Sequence, residues 1–222
     1  VDQLLDAFLF AHVGVNRQLL TGQEEVGVDD CGHDHVPAVQ ATGRVVEALV
    51  VQEYSSRFEV RLYDGHSTGL FLDLRDHRLA LSQRRPPRVL NLFAYTCAFA
   101  VPLAAVGARV TNVDVSARYL EWGKRNLALN GFEPPVARFF RMDAFEYLAY
   151  AARHREEQFD LVILDPPTFA AGDRRRGVKP WKAVDDYPAL VLAAVRVLAP
   201  GGSVFAASNT RAASHFRDRP LT

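Results

Sequence analysis

The 222-residue sequence holds only two cysteines, Cys31 and Cys97. Two thiols so far apart build no disulfide framework, and their scarcity fits a reducing compartment. Net charge is also missing: 26 Lys and Arg stand against 26 Asp and Glu. A globally basic coat that would hold nucleic acid by charge alone is excluded, so any such contact must come from a local patch. No apolar run approaches the roughly 20 residues of a membrane span. The first residues lack the basic region and apolar core of a secretory signal. No membrane association and a cytoplasmic location are therefore expected. The first residue is Val1 rather than Met, which reads as a trimmed chain or part of a longer polypeptide. Finally, no glycine lies between Gly69 and Gly107, which removes the GxGxxG turn that lets a backbone approach a pyrophosphate.

What is present is a core. Hydrophobic residues make up 49% of the chain, enough for one full domain plus a small appendage. The first 18 residues predict a helix, with Leu4, Leu5, Phe8, Leu9 and Val13 at rough 3–4 spacing. Thr21 to Pro37 reads as an irregular loop. Val45 to Glu53 and Arg57 to Tyr63 alternate in period two around Tyr54-Ser55-Ser56, a β-hairpin pattern. From Arg88 onward short apolar runs alternate with helical stretches. Strands are expected over Val89–Phe93, Arg109–Val113, Val136–Arg141, Phe159–Leu164 and Ser203–Ala207. Helices are expected up to Val106, over Ala117–Leu129 and Phe145–His154, and from Pro188 to Leu198, with Pro200-Gly201-Gly202 as a turn. This divides the chain into an N-terminal region, 1–68, and a main domain, 69–222.

Strands alternating with helices specify an α/β fold with a mostly parallel sheet and right-handed crossovers. Ligands in such folds bind beyond the carboxyl ends of the strands. The polar residues Asn91, Asp114, Asp143, Asp165 and Asn209 all fall at those ends. Asp114 ends the second strand, where a carboxylate can accept both ribose hydroxyls, with Ser116 just beyond it. Asp143-Ala144 ends the third, where a carboxylate can accept from an adenine amino group. S-adenosylmethionine, which carries ribose and adenine but no phosphate, matches a first loop without glycines. Each Asp alone is as readily a helix N-cap; their succession on three strands favours a cofactor site.

The most specific feature is Asp165-Pro166-Pro167-Thr168-Phe169. Two prolines after a buried strand fix the backbone and remove two N–H donors. The Asp165 carboxylate and adjacent carbonyls can then face a substrate amine, while Phe169 offers a flat face to a base. The loop is read as the catalytic, acceptor-docking segment.

Here the chain resembles the bacterial 23S ribosomal RNA methyltransferases, and most closely the C-terminal guanine-N7 methyltransferase half of the bifunctional large-subunit enzymes. The resemblance rests on Gly69-Leu70-Phe71-Leu72-Asp73-Leu74-Arg75, Asn91 to Thr96, Tyr119-Leu120-Glu121-Trp122, Arg125 to Gly131, Asp165 to Phe169 and Ser208-Asn209. It implies a Rossmann-like class I S-adenosylmethionine methyltransferase fold, with Phe71, Asp73 and Arg75 over the methionine end of the cofactor. It likewise implies that Asn91, Phe93, Tyr95 and Thr96 line that end, Asp114 holds the ribose and Asp143 the adenine. Departures are Cys97 where these enzymes usually have Gly, an unmatched first 50 residues, and too few residues after Ser208 for the usual C-terminal helix and β-hairpin.

The acceptor expected is a nucleobase nitrogen of RNA, guanine in 23S rRNA. Methylation at a pyrimidine carbon needs a cysteine nucleophile, and Ser208-Asn209-Thr210 stands where relatives carry it. Rival readings are a small-molecule or protein methyltransferase, a cytosine-5 rRNA enzyme, a NAD-dependent oxidoreductase, and a non-catalytic RNA-binding module. Arg84, Arg85 and Arg88, and Arg174, Arg175, Arg176, Lys179 and Lys182, are candidate RNA contacts; Trp181 either stacks on a base or anchors the loop. Cys31-Gly32-His33-Asp34-His35 has no partner cluster at zinc spacing and reads as a polar loop, so no metal is expected.

Overall fold

A computed structural model describes residues 8–12, 48–63, 67–133, 136–154, 156–172 and 178–208. Its centre is a six-stranded parallel sheet, of which five strands lie in the strand–helix alternation read from the sequence. The strands are β1 (Phe8–His12), β4 (Arg88–Leu92), β5 (Arg109–Asp114), β6 (Ala137–Arg141), β7 (Phe159–Leu164) and β10 (Leu198–Ser208). Their order is β1-β10-β7-β4-β5-β6, every pairing parallel. The chain starts the alternation at the centre, winds out through β5 and β6, then crosses back to β7. Loops leaving β4 and β7 therefore diverge, and a crevice opens between them at the carboxyl ends of the strands.

Five helices cover the sheet: α1 (Arg75–Gln83), α2 (Ala100–Ala105), α3 (Ala117–Leu129), α4 (Ala144–Arg153) and α5 (Ala183–Val195). Along β7 the side chains alternate between faces. Leu161 and Ile163 join one core cluster with Leu81, Leu103 and Leu127, and Val162 and Leu164 join the other with Leu148 and Leu190. Both faces are buried, which is why the sequence there reads as a continuous apolar run. Among the described residues no helix is long and apolar enough to cross a membrane.

The hairpin β2 (Leu49–Glu53) and β3 (Ser56–Val60) forms as expected, paired antiparallel, and two short strands, β8 (Phe169–Ala170) and β9 (Trp181–Lys182), make a second antiparallel pair. The hairpin's outer strand is read by α3. Asn126 Oδ1 accepts from Glu59 N at 2.9 Å, and Asn130 Oδ1 accepts from Arg57 N at 2.8 Å. Asn130 Nδ2 donates to Arg57 O at 2.7 Å, and Trp122 Nε1 donates to Glu59 O at 3.0 Å. Four helical residues rise about 6 Å, and two strand residues span about 6.6 Å. Side chains four apart on α3 thus meet the outward backbone groups of alternate residues on β3. The matched segments Tyr119–Trp122 and Arg125–Gly131 supply this ladder.

Four elements differ from expectation, the first being α1, which forms where no helix is expected. Phe8–His12 is a strand, parallel to β10, not part of a helix. A five-residue apolar segment satisfies both periodicities, and the otherwise open edge of β10 offers it hydrogen bonds. Helix α5 begins at Ala183 rather than Pro188, with Asp185 and Asp186 in its first turn and Asp186 Oδ2 accepting from Lys182 N at 2.8 Å. Pro200-Gly201-Gly202 is an irregularity inside β10, where register shifts between Leu198 and Ser203, and not a turn preceding it. Residues from 209 onward, including Asn209 and the site of a C-terminal hairpin, lie outside the described residues.

Candidate functional site

A cavity of about 500 Å³ fills the crevice. The loop after β4 forms its floor with an uncommon backbone: Phe93, Tyr95 and Cys97 have φ of 55°, 49° and 59°. Left-handed backbone in bulky side chains is strained and gathers at binding sites. Here the strain turns Tyr95 N toward Asp114, whose Oδ2 accepts it at 2.9 Å while Oδ1 accepts from Ser116 N at 2.8 Å. Two backbone donors fix the carboxylate and leave it spare lone pairs. Burial raises its pKa, opposed by those two hydrogen bonds.

Asp143 sits further along the same wall as the N-cap of α4. Both Phe145 N and Glu146 N donate to its Oδ1, at 2.9 and 3.3 Å. Oδ2 is left for another donor. Asp114 and Asp143 are thus N-terminal structural groups and cavity-lining groups at once. Ser116 caps α3 by accepting from Tyr119 N, and Ala144 lies beside Asp143 on the cavity wall.

At the other end Phe71 and Asp73 line the mouth. Phe71 is half exposed and packs against Tyr95 at 5.5 Å, and Tyr95 meets Tyr119 edge-on at 4.4 Å. Tyr95 Oη donates to Ser67 Oγ at 2.9 Å, tying the floor to the segment above it. Asp165 enters from the end of β7. Burial and the nearby Asp73 push its pKa up to about 6, against the pull of Arg78.

Pro166, Pro167 and Thr168 follow along the cavity rim. The carbonyl of Pro167 accepts from Trp181 Nε1 at 2.6 Å, and Trp181 packs on Phe93 at 5.5 Å. Trp181 is buried, so of its two expected roles the structure supports anchoring the loop. Phe169 is 59% exposed, pairs with Lys182 and lies outside the cavity lining.

Over residues 33–216 the chain matches the family described as S-adenosylmethionine-dependent methyltransferase. The chain belongs to that family. S-adenosylmethionine is the family's cofactor. Among curated relatives, the Psychrobacter sp. protein named ribosomal RNA large subunit methyltransferase K/L is 40% identical over 72% of this chain and 20% of its own length. The Allochromatium vinosum protein of the same name is 41% identical over 77% of this chain and 22% of its own. The chain thus spans about a fifth of the length of the curated relatives it matches. A solved S-adenosylmethionine-dependent methyltransferase from Agrobacterium tumefaciens superposes with a TM-score of 0.69 at 27% identity, covering 76% of this chain and 55% of that one. The structure of SMU.776 complexed with SAH gives 0.66 at 32% identity, over 72% and 42%.

In this methyltransferase domain, three expected cofactor residues stand away from the cavity. Arg75 bonds Asp76 at 3.3 Å and lies over the Tyr54 ring at 5.6 Å. Asn91 is buried and donates to Asn112 Oδ1 at 2.9 Å. Thr96, also buried, donates its hydroxyl to Gly69 O at 2.6 Å and its carbonyl accepts from Asn126 at 2.9 Å. These residues hold strands and loops together beneath the site. The Cys97 thiol occupies space above Gly123: a Cβ on Gly123 would stand 2.3 Å from Cys97 Sγ. Burial pushes that thiol well above its usual pKa.

Sequence reasoning missed Arg78. It is 2% exposed, holds Glu53 through Nε at 2.9 Å, donates to Phe71 O at 2.9 Å and lines the cavity. Its signal is a charge within the buried stripe Leu74, Arg78, Leu81, Ser82 along α1, a stretch to which the sequence pattern assigns no element. Arg174, Arg175 and Arg176 and the Cys31–His35 stretch lie outside the described residues. Among those described, no three His, Cys, Asp or Glu side chains gather as metal ligands.

Proposed function

We propose that this domain binds S-adenosylmethionine along the cavity and transfers its methyl group to a nucleobase nitrogen of RNA, guanine in 23S rRNA. The observation that carries the reading is the Asp165 carboxyl, held in the cavity beside Asp73 and Arg78 and followed at once by two prolines. The rRNA methyltransferase names borne by relatives at 40 and 41% identity support an RNA acceptor, and that acceptor in turn supports a cytoplasmic location.

The residues present fit the cofactor. Asp114 has lone pairs for ribose hydroxyls, Asp143 keeps Oδ2 free for an adenine amino group, and the glycine-free loop makes no phosphate cradle. Phe71, Asp73, Phe93 and Tyr95 enclose the opposite end, and Arg75, Asn91 and Thr96 act through the loops they brace. Bound there, S-adenosylmethionine supplies a methyl group already activated on a sulfonium. The chain's task is to orient and to exclude water, a contribution that reaches about 7–11 kcal/mol. Asp165 accepts from the acceptor's N–H groups and fixes the attacking nitrogen. Pro166 and Pro167, lacking N–H groups, leave the rim carbonyls as acceptors; Thr168 and exposed Phe169 flank the incoming base. Carbon methylation is disfavoured because buried Cys97 neither lines the cavity nor ionises readily.

Two measurements test this. Calorimetry checks cofactor binding, and label from tritiated S-adenosylmethionine is mapped on deproteinised large-subunit rRNA. Asp165→Ala is expected to abolish transfer with cofactor affinity within about tenfold, and Asp114→Ala to weaken cofactor binding by more than tenfold, since a charged hydrogen bond is worth about 1.5–3 kcal/mol. Label entering small molecules but never RNA would overturn the acceptor, and both variants losing only cofactor affinity would overturn the role of Asp165.

A further inference from the structure

The Glu53–Arg78 pair is a wall with a cavity on each side. Arg78 lines the cofactor cavity and also a second cavity of about 350 Å³ between the hairpin turn, α1 and α2. We propose that this second cavity seats a nucleotide of the acceptor RNA other than the one methylated, its phosphate on Arg85. The proposal rests on the RNA reading above.

Its chemistry is that of a nucleotide site. Pro102, Ala105 and Val106 give one apolar wall, against which a base can lie. Ser55, Gln83 and Arg85 bring polar and cationic groups to the rest of the lining. Glu53 is neutralised by Arg78 at the back, so the cavity keeps one positive charge, that of Arg85. Arg85 has no ion-pair partner among the described residues. The neighbouring Arg88 is different, held by both oxygens of Asp160 at 2.9 and 3.2 Å. The basic cluster Arg84, Arg85, Arg88 is therefore not a uniform solvated run: one member is locked, and one borders a cavity.

Two left-handed residues shape the cavity. Tyr54, φ 52°, turns the hairpin, and Arg85, φ 52°, follows the C-cap of α1. Both line the cavity. The volume suits one nucleotide, at the lower end of small-ligand cavities (about 300–1,000 Å³). Arg78 lines both cavities, and Arg85 lies just past the end of α1, so an RNA strand reaching the Asp165 rim passes within a few nucleotides of it.

The test uses the whole chain with deproteinised large-subunit rRNA. Arg85→Ala removes the phosphate contact. Ala105→Trp, at an exposed position, fills the cavity without entering the core. Both variants should raise KM for rRNA about tenfold, the size of one stacked base, with kcat and the calorimetric Kd for S-adenosylmethionine within about twofold. Arg85→Ala should also flatten the dependence of log affinity on log salt by about one. A wild-type KM in both variants overturns the proposal. So does a rise in the cofactor Kd matching that in KM, which marks the cavity as structural support for Arg78. If the wild-type chain neither binds nor methylates rRNA, the RNA reading falls and this inference with it.

Discussion

Substituting Gly123 by Ala tests how the cofactor loop is held. A Cβ there would stand 2.3 Å from Cys97 Sγ, 2.8 Å from Cys97 Cβ and 3.3 Å from the Thr96 carbonyl carbon. The first two are far inside contact distance, and such overpacking is worth about 1–3 kcal/mol. Alanine in place of a mid-helix glycine returns about 1 kcal/mol, so the net expected destabilisation is about 0–2 kcal/mol. In a Cys97→Gly background the first two contacts vanish and only the tight Thr96 contact remains. There Gly123→Ala should be neutral or stabilising by up to about 1 kcal/mol. Cys97→Gly alone should be close to neutral, because relief of left-handed strain, about 1–3 kcal/mol, offsets lost burial and added chain entropy. The cycle, measured by urea unfolding, should give a coupling of about 1–3 kcal/mol. Cofactor affinity should follow, falling about tenfold or more in Gly123→Ala and recovering in the double variant, because the displaced loop carries Tyr95 N away from Asp114. A coupling below about 0.5 kcal/mol would refute the packing account.

Further expectations concern other parts of the site. Asp165 is protonated more readily folded than unfolded, so its ionisation opposes folding; relative to Asp165→Asn, wild type should lose stability as pH rises from about 4 to about 6 and run parallel above. A pH-independent difference in urea midpoints would refute this. Trp181→Phe removes the donor to Pro167 O, about 1 kcal/mol; kcat should drop while cofactor affinity stays within about twofold, read by calorimetry and transfer assays. Glu53→Ala leaves Arg78 buried without its carboxylate and should destabilise by about 3–5 kcal/mol, or at least 6 °C in a chain of this size, visible by thermal melting. A loss under about 1 kcal/mol would mean that water reaches Arg78.

Much of this is legible in the sequence. Asp114, Asp143 and Asp165 were found because parallel strands are doubly buried, so a carboxylate at a strand's end stands out against an apolar run. Sequence position could not separate Phe93 and Tyr95, which reach the cavity, from Asn91 and Thr96, which face away in the same stretch. That division depends on alternate left-handed residues, and none of them is glycine. Arg78 was hidden because a buried cation looks like surface until its partner, 25 positions earlier, is in place. Phe8–His12 was misread because its partner lies at the far end of the sequence. Burial that depends on distant pairing leaves no local period to read.

The ladder from α3 to β3 has a consequence for behaviour in solution. An isolated hairpin exposes a free edge, and free edges recruit strands from other molecules. Here Arg57 and Glu59 already spend their outward amides and carbonyls on Asn126, Asn130 and Trp122, and the next outward amide, Arg61 N, donates to Thr68 O at 2.9 Å. Among the described residues, the amides and carbonyls of Arg57 and Glu59 are thus already spent, so this edge offers a neighbouring chain little to pair with.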